Sequence, residues 1–379
     1  MVSRRSFLWG SSSIALSSLL SACDSASDLS IAILQDSLPN QLITTIQQQS
    51  SSLGIVKLKP ESTLEELYNS LLIQQGKKPD NLKDNQEKSS FKLSSSDNNQ
   101  SSSQSKDLIT LGNYWLTSAI ENQLIDSLEL TKLKNWQKLP PLFQQLVTRD
   151  NQGKLDNQGK IWGTPYRWGY TMIAYREDKL KSLGWQPQDW EDLWQPEINN
   201  RLSLVNNPRE VIGLVLKKLG YSYNTTNPQT IPNLLSELQS LHQQVKFYDS
   251  RNYLQPLILG DTWLAVGWST DIIPVIERFS NIKAVIPASG TSLWADIWVK
   301  PRSQSVSENI YNWIDFCWQP KSARQISLFT SGISPMETSI STNNRQIPLM
   351  SEEVLAKSEF IEPLEDNFFA EYEAIWSKI

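Results

Sequence analysis

The sequence predicts an α/β protein in which sheets are layered with helices. Three observations carry this prediction. The order between residues 30 and 72 is strand, helix, strand, helix. Strand and helix patterns go on alternating to the end of the chain. No repeat of fixed period interrupts them.

The elements follow in order. Ser30-Ile31-Ala32-Ile33-Leu34 is a short apolar run, read as a buried strand. Gln41 to Gln49 reads as a helix and Ile55 to Leu58 as the second strand. Leu64, Leu67, Tyr68, Leu71 and Leu72 recur at helical spacing. Residues 77–106 are rich in Ser, Asn, Gln, Asp and Lys, and cannot bury enough apolar surface to offset the entropy of ordering. They read as a disordered surface insertion, with a functional lid as the alternative. Asp107 to Leu111 is the next strand. The stretch from Pro140-Pro141 to Lys160 is irregular; Asn151-Gln152-Gly153 and Asn157-Gln158-Gly159 mark a hairpin or loop.

Met172 to Tyr175 resumes the strand signal, Trp190 to Trp194 is a short helix, and Leu202 to Val205 is a strand. Asn207-Pro208-Arg209-Glu210 opens a helix with Val211, Ile212, Val215, Leu216 and Leu219 apolar, and Gly220 stops it. Leu264 to Gly267, Ala284 to Ile286 and Leu293 to Val299 are strands. Ile310 to Phe316, Ser322 to Phe329 and Phe368 to Ile379 are helices.

The N-terminus is read apart from the fold. Ser3-Arg4-Arg5-Ser6-Phe7-Leu8 is a twin-arginine export signal, and the apolar stretch Leu8 to Leu20 is too short for a permanent span. Leu20-Ser21-Ala22-Cys23 is a lipobox. Residues 1–22 are therefore expected to be a cleaved signal peptide, Cys23 the lipidated first residue, and 23–29 a tether. The expected location is extracytoplasmic, anchored to a membrane. Removing the signal leaves roughly 350 residues, enough for two domains or one large one. No later stretch reaches the ~18 apolar residues of a second span.

Composition narrows the function. The net charge is −5 and no basic stripe is present, which argues against a nucleic-acid partner. Of the two cysteines, Cys23 is assigned to lipid, so Cys317 has no disulfide partner in the mature chain and reads as a small buried hydrophobe. His242 is the one histidine, which leaves histidine metal sites and Ser-His-Asp chemistry without material. No G-x-S-x-G, P-loop, H-E-x-x-H or C-x-x-C occurs. The chain reads as a binding protein rather than an enzyme, with no cofactor or metal.

Candidate binding residues sit where tryptophan meets carboxylate. Fifteen Trp residues are present. Asn207-Pro208-Arg209-Glu210 reads locally as a capping box with Glu210 reaching back to Asn207. It follows a strand directly, and a capping carboxylate there can also face a cleft at a strand's carboxyl end. In Leu293-Trp294-Ala295-Asp296-Ile297-Trp298, period-two alternation puts Trp294, Asp296 and Trp298 on one face. A carboxylate flanked by indoles suits a cation, each ring adding roughly 0.5–2 kcal/mol when desolvated; cross-strand aromatic packing is the alternative. Trp268 ends a strand and is followed by the helix start Ser269-Thr270-Asp271. In Asn113-Tyr114-Trp115 one ring is expected in the core and the other at a cleft.

The chain resembles the extracellular solute-binding proteins of ABC importers, in the spermidine/putrescine-binding branch. The segments that carry the resemblance are Gly163-Thr164-Pro165-Tyr166-Arg167-Trp168-Gly169-Tyr170-Thr171, Trp190-Glu191-Asp192-Leu193-Trp194, Pro208-Arg209-Glu210-Val211, Leu219-Gly220-Tyr221, Ala265-Val266-Gly267-Trp268 and Trp294-Ala295-Asp296. It implies a two-lobed periplasmic-binding-protein fold of type II, each lobe a mixed sheet flanked by helices, with the ligand cleft between. The implied division is residues 30–168 plus 296–335 for one lobe, and 169–295 plus 336–379 for the other. Crossovers fall near Trp168-Gly169, Asp296 and Ser334-Pro335. By motif match, Glu210 and Asp296 are implied amine-binding carboxylates, with Trp268, Trp294 and Tyr114 as aromatic walls. Asn207, Asp36 and Trp168 complete the expected substrate set.

Three positions depart from the branch. Leu34-Gln35-Asp36-Ser37 stands where an aromatic pair is usual, Asn207 replaces a carboxylate, and Gly332-Ile333 replaces Gly-Tyr. The expected function is capture of a polyamine and its delivery to ABC permease subunits by a monomeric receptor. The alternatives are a receptor for another short cationic or neutral solute, and a surface-anchored interaction protein.

Overall fold

Burial on both faces of a strand is what organises this chain. The computed structural model describes residues 28–48, 54–77, 105–303, 307–337, 350–363 and 366–379. The expected signal peptide, Cys23 and all of the Ser-rich segment 77–106 except its ends lie outside them. The strands are β1 (Leu29–Leu34), β2 (Val56–Glu61), β3 (Leu108–Gly112), β4 (Ile125–Asp126), β5 (Thr148–Arg149), β6 (Lys160–Ile161) and β7 (Thr164–Arg176). There follow β8 (Leu202–Leu204), β9 (Val245–Tyr248), β10 (Leu264–Trp268), β11 (Ile282–Val285), β12 (Ser292–Pro301) and β13 (Glu359–Phe360).

The main sheet runs β2-β1-β3-β12-β7-β10-β8-β9. At one end β1 lies parallel to β2 and β3, and at the other β8 lies parallel to β9 and β10. Two antiparallel strands join these groups. The first part of β7, Thr164–Tyr170, pairs with β12, and its last part pairs with β10 and β11. Along β10, Leu264 and Val266 belong to one apolar cluster and Ala265 to another, so both faces of the sheet are covered by helices. One cluster centres on β1, β3 and β12; the other includes helices Pro208–Lys218 and Leu234–Gln244.

Two expectations are corrected. The region after Pro140 is not simply irregular: Pro141 sits at the first helical position, where its missing N–H costs nothing, and opens helix Pro141–Val147. β5 and β6 then close the expected hairpin. The strand seen in sequence as Met172–Tyr175 begins at Thr164, because its first half is buried on both faces and shows no alternation.

A late segment ties the two ends of the sheet together. Glu359 N donates to Thr291 O and Ile361 N to Leu293 O, placing the segment along β12. Asn113 Nδ2 donates to Ile361 O at 3.0 Å from the β3 side. From the β8 side, Asn224 Nδ2 donates to Phe360 O at 2.8 Å and Arg209 Nη2 to Glu362 O at 3.0 Å.

Candidate functional site

The carboxyl ends of β1 and β3 face those of β8 and β10 across β7 and β12. Open α/β sheets hold ligands at such ends, where backbone groups and helix N-termini are available. Register fixes which side chains share the face. Trp268 is opposite Thr171, Trp294 is opposite Gly169, and Asp296 is opposite both Arg167 and Gly112. Two-residue alternation then places Arg167, Gly169 and Thr171 of β7 beside Ser292, Trp294 and Asp296 of β12.

Glu210 anchors one end of this face. Asn207 caps helix Pro208–Lys218, its Oδ1 accepting from the N–H groups of Arg209 at 3.0 Å and Glu210 at 3.3 Å. The capping box expected from the sequence is not formed, because Glu210 turns to the sheet instead. Thr171 Oγ1 and Ser292 Oγ donate to its Oε2 at 3.0 and 2.8 Å, and Trp268 Nε1 donates to Oε1 at 3.1 Å. Glu210 is only 5% exposed. Burial pushes its carboxyl above the ordinary value, while the three side-chain donors and Arg209 pull it back.

Trp268 is fixed from behind. Its backbone N–H donates to Tyr253 Oη at 3.1 Å, and Tyr253 Oη donates to Asp271 Oδ2 at 3.0 Å. The Trp268 and Tyr253 rings meet edge to face. Trp294, half-buried, lies across Gly169, where a Cβ would overlap its ring and Ser269 Oγ. That close approach is what glycine permits here.

Asp296 anchors the other end, four residues from Ser292 and so about 13 Å along the strand. It is 2% exposed. Arg167 Nε donates to its Oδ2 at 2.8 Å, and Nη2 forms an ion pair with the same oxygen at 2.6 Å. Burial raises the Asp296 carboxyl and Arg167 opposes that rise. Burial works against the Arg167 charge, yet Asp296 and Tyr166 leave it held more firmly than usual. A β-bulge falls beside the pair: Asp296 matches Arg167 and Ile297 matches Pro165, so Tyr166 is the extra residue.

The other expected residues are placed as follows. Tyr114, 38% exposed, folds over Gly112 next to Asp296, while Trp115 stacks on Tyr68 at 4.3 Å. Asp36 is exposed in a left-handed turn after β1, and the adjacent Ser37 is buried, accepting from Tyr166 Oη at 2.9 Å. Two aromatic residues are corrected. Trp168 is a core residue packed between Phe143 and Tyr170. Trp298 stacks on Tyr166 at 4.1 Å in the core and does not stand free beside Trp294. Sequence reasoning passed over Arg167, Thr171, Ser292 and Asp271. The one available signal was Arg167, a lone cation between aromatic residues within a strand.

This architecture is that of the two-lobed periplasmic-binding proteins. The model of the bacterial extracellular solute-binding protein family matches residues 103–352, and the chain belongs to that family. The chain is 29% identical over 223 residues to the spermidine/putrescine-binding periplasmic protein of Escherichia coli (strain K12), covering 58% of this chain and 61% of that protein. The matched part thus spans about three fifths of that relative. It is 25% identical over 270 residues to the putrescine-binding periplasmic protein SpuD of Pseudomonas aeruginosa, covering 66% and 72%. Among solved structures it superposes on the spermidine/putrescine ABC transporter substrate-binding protein PotD from Streptococcus pneumoniae with a TM-score of 0.75 at 20% identity, covering 93% of this chain and 98% of that one. The Tp0655 lipoprotein of Treponema pallidum matches with a TM-score of 0.69 at 17% identity, over 93% and 98%. The relatives it matches are binding proteins of transport systems, not enzymes.

Proposed function

We propose that this chain is an extracytoplasmic receptor that captures a protonated amine of the polyamine type and hands it to an ABC permease. Glu210 carries the reading. A buried carboxylate presented by three side-chain donors, one of them the indole of Trp268, with a second indole on the same face, is a site for an ammonium group. The names of the curated relatives, which bind spermidine, putrescine or cadaverine, support the same class.

In this reading Glu210 pairs with the amine, Trp268 and Trp294 flank its methylenes, and Tyr114 and Asp36 stand at the entrance. Asn207 contributes as the cap that orients Glu210, and Asp296 acts through Arg167. The lobes are residues 30–168 with 296–335, and 169–295 with 336–379, closing over the ligand by bending where β7 and β12 pass between them. Cys23 carries the lipid that keeps the monomeric receptor beside its permease after twin-arginine export. Titration calorimetry with putrescine, spermidine and simple alkylamines tests the reading. Binding heat with any of these supports it; no heat and no thermal shift at millimolar amine overturns it.

A further inference from the structure

The face that holds Glu210 also holds its own cation. Arg167 and Asp296 are cross-strand partners, both buried, joined by a hydrogen bond from Nε and an ion-pair contact from Nη2 to the same carboxylate oxygen. The guanidinium carbon lies 5.6 Å from the centroid of the Trp294 ring. Asp296 and one face of Trp294 are the two features that would otherwise draw an ammonium group, and both are already served from within the chain. The fold makes room for this. A Cβ on Gly332 would overlap Arg167 Cγ, and the bulge at Tyr166 sets the Arg167 register against Asp296.

The other guanidinium near the face, Arg209, is turned to Asn224 Oδ1, the Glu362 carbonyl and the Tyr372 ring, so Arg167 is the cation that meets Asp296. A second ligand ammonium brought to Asp296 would have to displace Arg167 and leave a buried guanidinium without its partner, at a high cost.

We propose that Arg167 sets ligand charge: it stands in for a second ammonium at Asp296, so that the site takes an amine with one cationic centre, paired at Glu210, whose remaining atoms are uncharged. This inference rests on the amine-receptor reading and narrows it.

The test is calorimetry on the full chain with three probes of similar length: butylamine, aminobutanol and putrescine. The unaltered protein is expected to bind at least one of the two monoamines more tightly than putrescine. Arg167→Met frees Asp296 and is expected to gain roughly tenfold or more in putrescine affinity, the size of one charged hydrogen-bonded contact. Arg167→Met combined with Asp296→Asn should not show this gain. The ranking on the unaltered protein needs no variant, so a misfolded Arg167→Met leaves the test intact. Putrescine binding as tightly as both monoamines, or more so, overturns the proposal while the amine-receptor reading stands. Failure of all three probes, together with spermidine, overturns that reading itself.

Discussion

On the amine-receptor reading, Glu210 has opposite effects on binding and on folding as the pH falls. Burial raises its carboxyl above the ordinary 4.5. A carboxyl whose folded value is raised contributes stability that is fully present below the unfolded value and is lost as pH rises through the folded one. Acidification from neutral toward that raised value therefore stabilises the unliganded protein through this group. It also protonates the partner of the ammonium, so amine affinity falls over the same interval. Melting curves with and without ligand across mildly acidic pH check this: the ligand-induced shift in Tm should shrink with acidification. Affinity that stays flat would remove Glu210 from the site. Glu210→Gln should lower amine affinity roughly tenfold to a hundredfold, with the unliganded Tm kept or raised, as read by calorimetry and thermal melts. At this scale the sequence was half legible. Asn207 and Pro208 marked the helix start, but local rules could not decide whether Glu210 would cap or face the sheet. Arg167 could not be read at all as a partner of Asp296, because 129 residues separate them and only strand register brings them together.

Among the elements, β7 matters most to the site. It supplies Arg167, Gly169 and Thr171, pairing with β12 along its first part and with β10 and β11 along its last. Its alternation was hidden because aromatic and aliphatic residues occupy both faces, and Pro165 and Gly169 weaken its strand signal. Helix Pro208–Lys218, with one face apolar and a clear cap, was legible nearly to the residue. Gly169→Ala tests how closely β7 and Trp294 depend on each other. The added methyl overlaps the indole, so we expect a loss of about 1–3 kcal/mol in stability from overpacking. A drop in amine affinity should accompany it as Trp294 is displaced. An unchanged Tm with unchanged affinity would show that the ring is not held where β7 places it.

On the scale of the whole molecule, the α/β class and the order of elements followed from hydrophobic periodicity, which is local. The pairing of strands into one sheet is not local and could only be seen in three dimensions. The lipid anchor proposed at Cys23 makes a separate prediction. Cys23→Ser should move the protein from the membrane fraction to the soluble fraction on detergent partitioning, while amine binding by the purified chain stays the same. Retention in the membrane fraction would place the anchor elsewhere.

The segment at 359–362 has a consequence in time. While the chain is still emerging from the ribosome, Glu210, Arg167 and Asp296 are all made before the residues that fasten Asn113 on one side of the sheet to Asn224 and Arg209 on the other. Domains generally fold as they are synthesised, but this frame is closed by residues that follow all three in the chain. A nascent chain cut short before 359 has every side chain of the binding face and lacks the fastening that sets its spacing. The spacing of the face is therefore set only once residues 359–362 have been made, well after the side chains it carries.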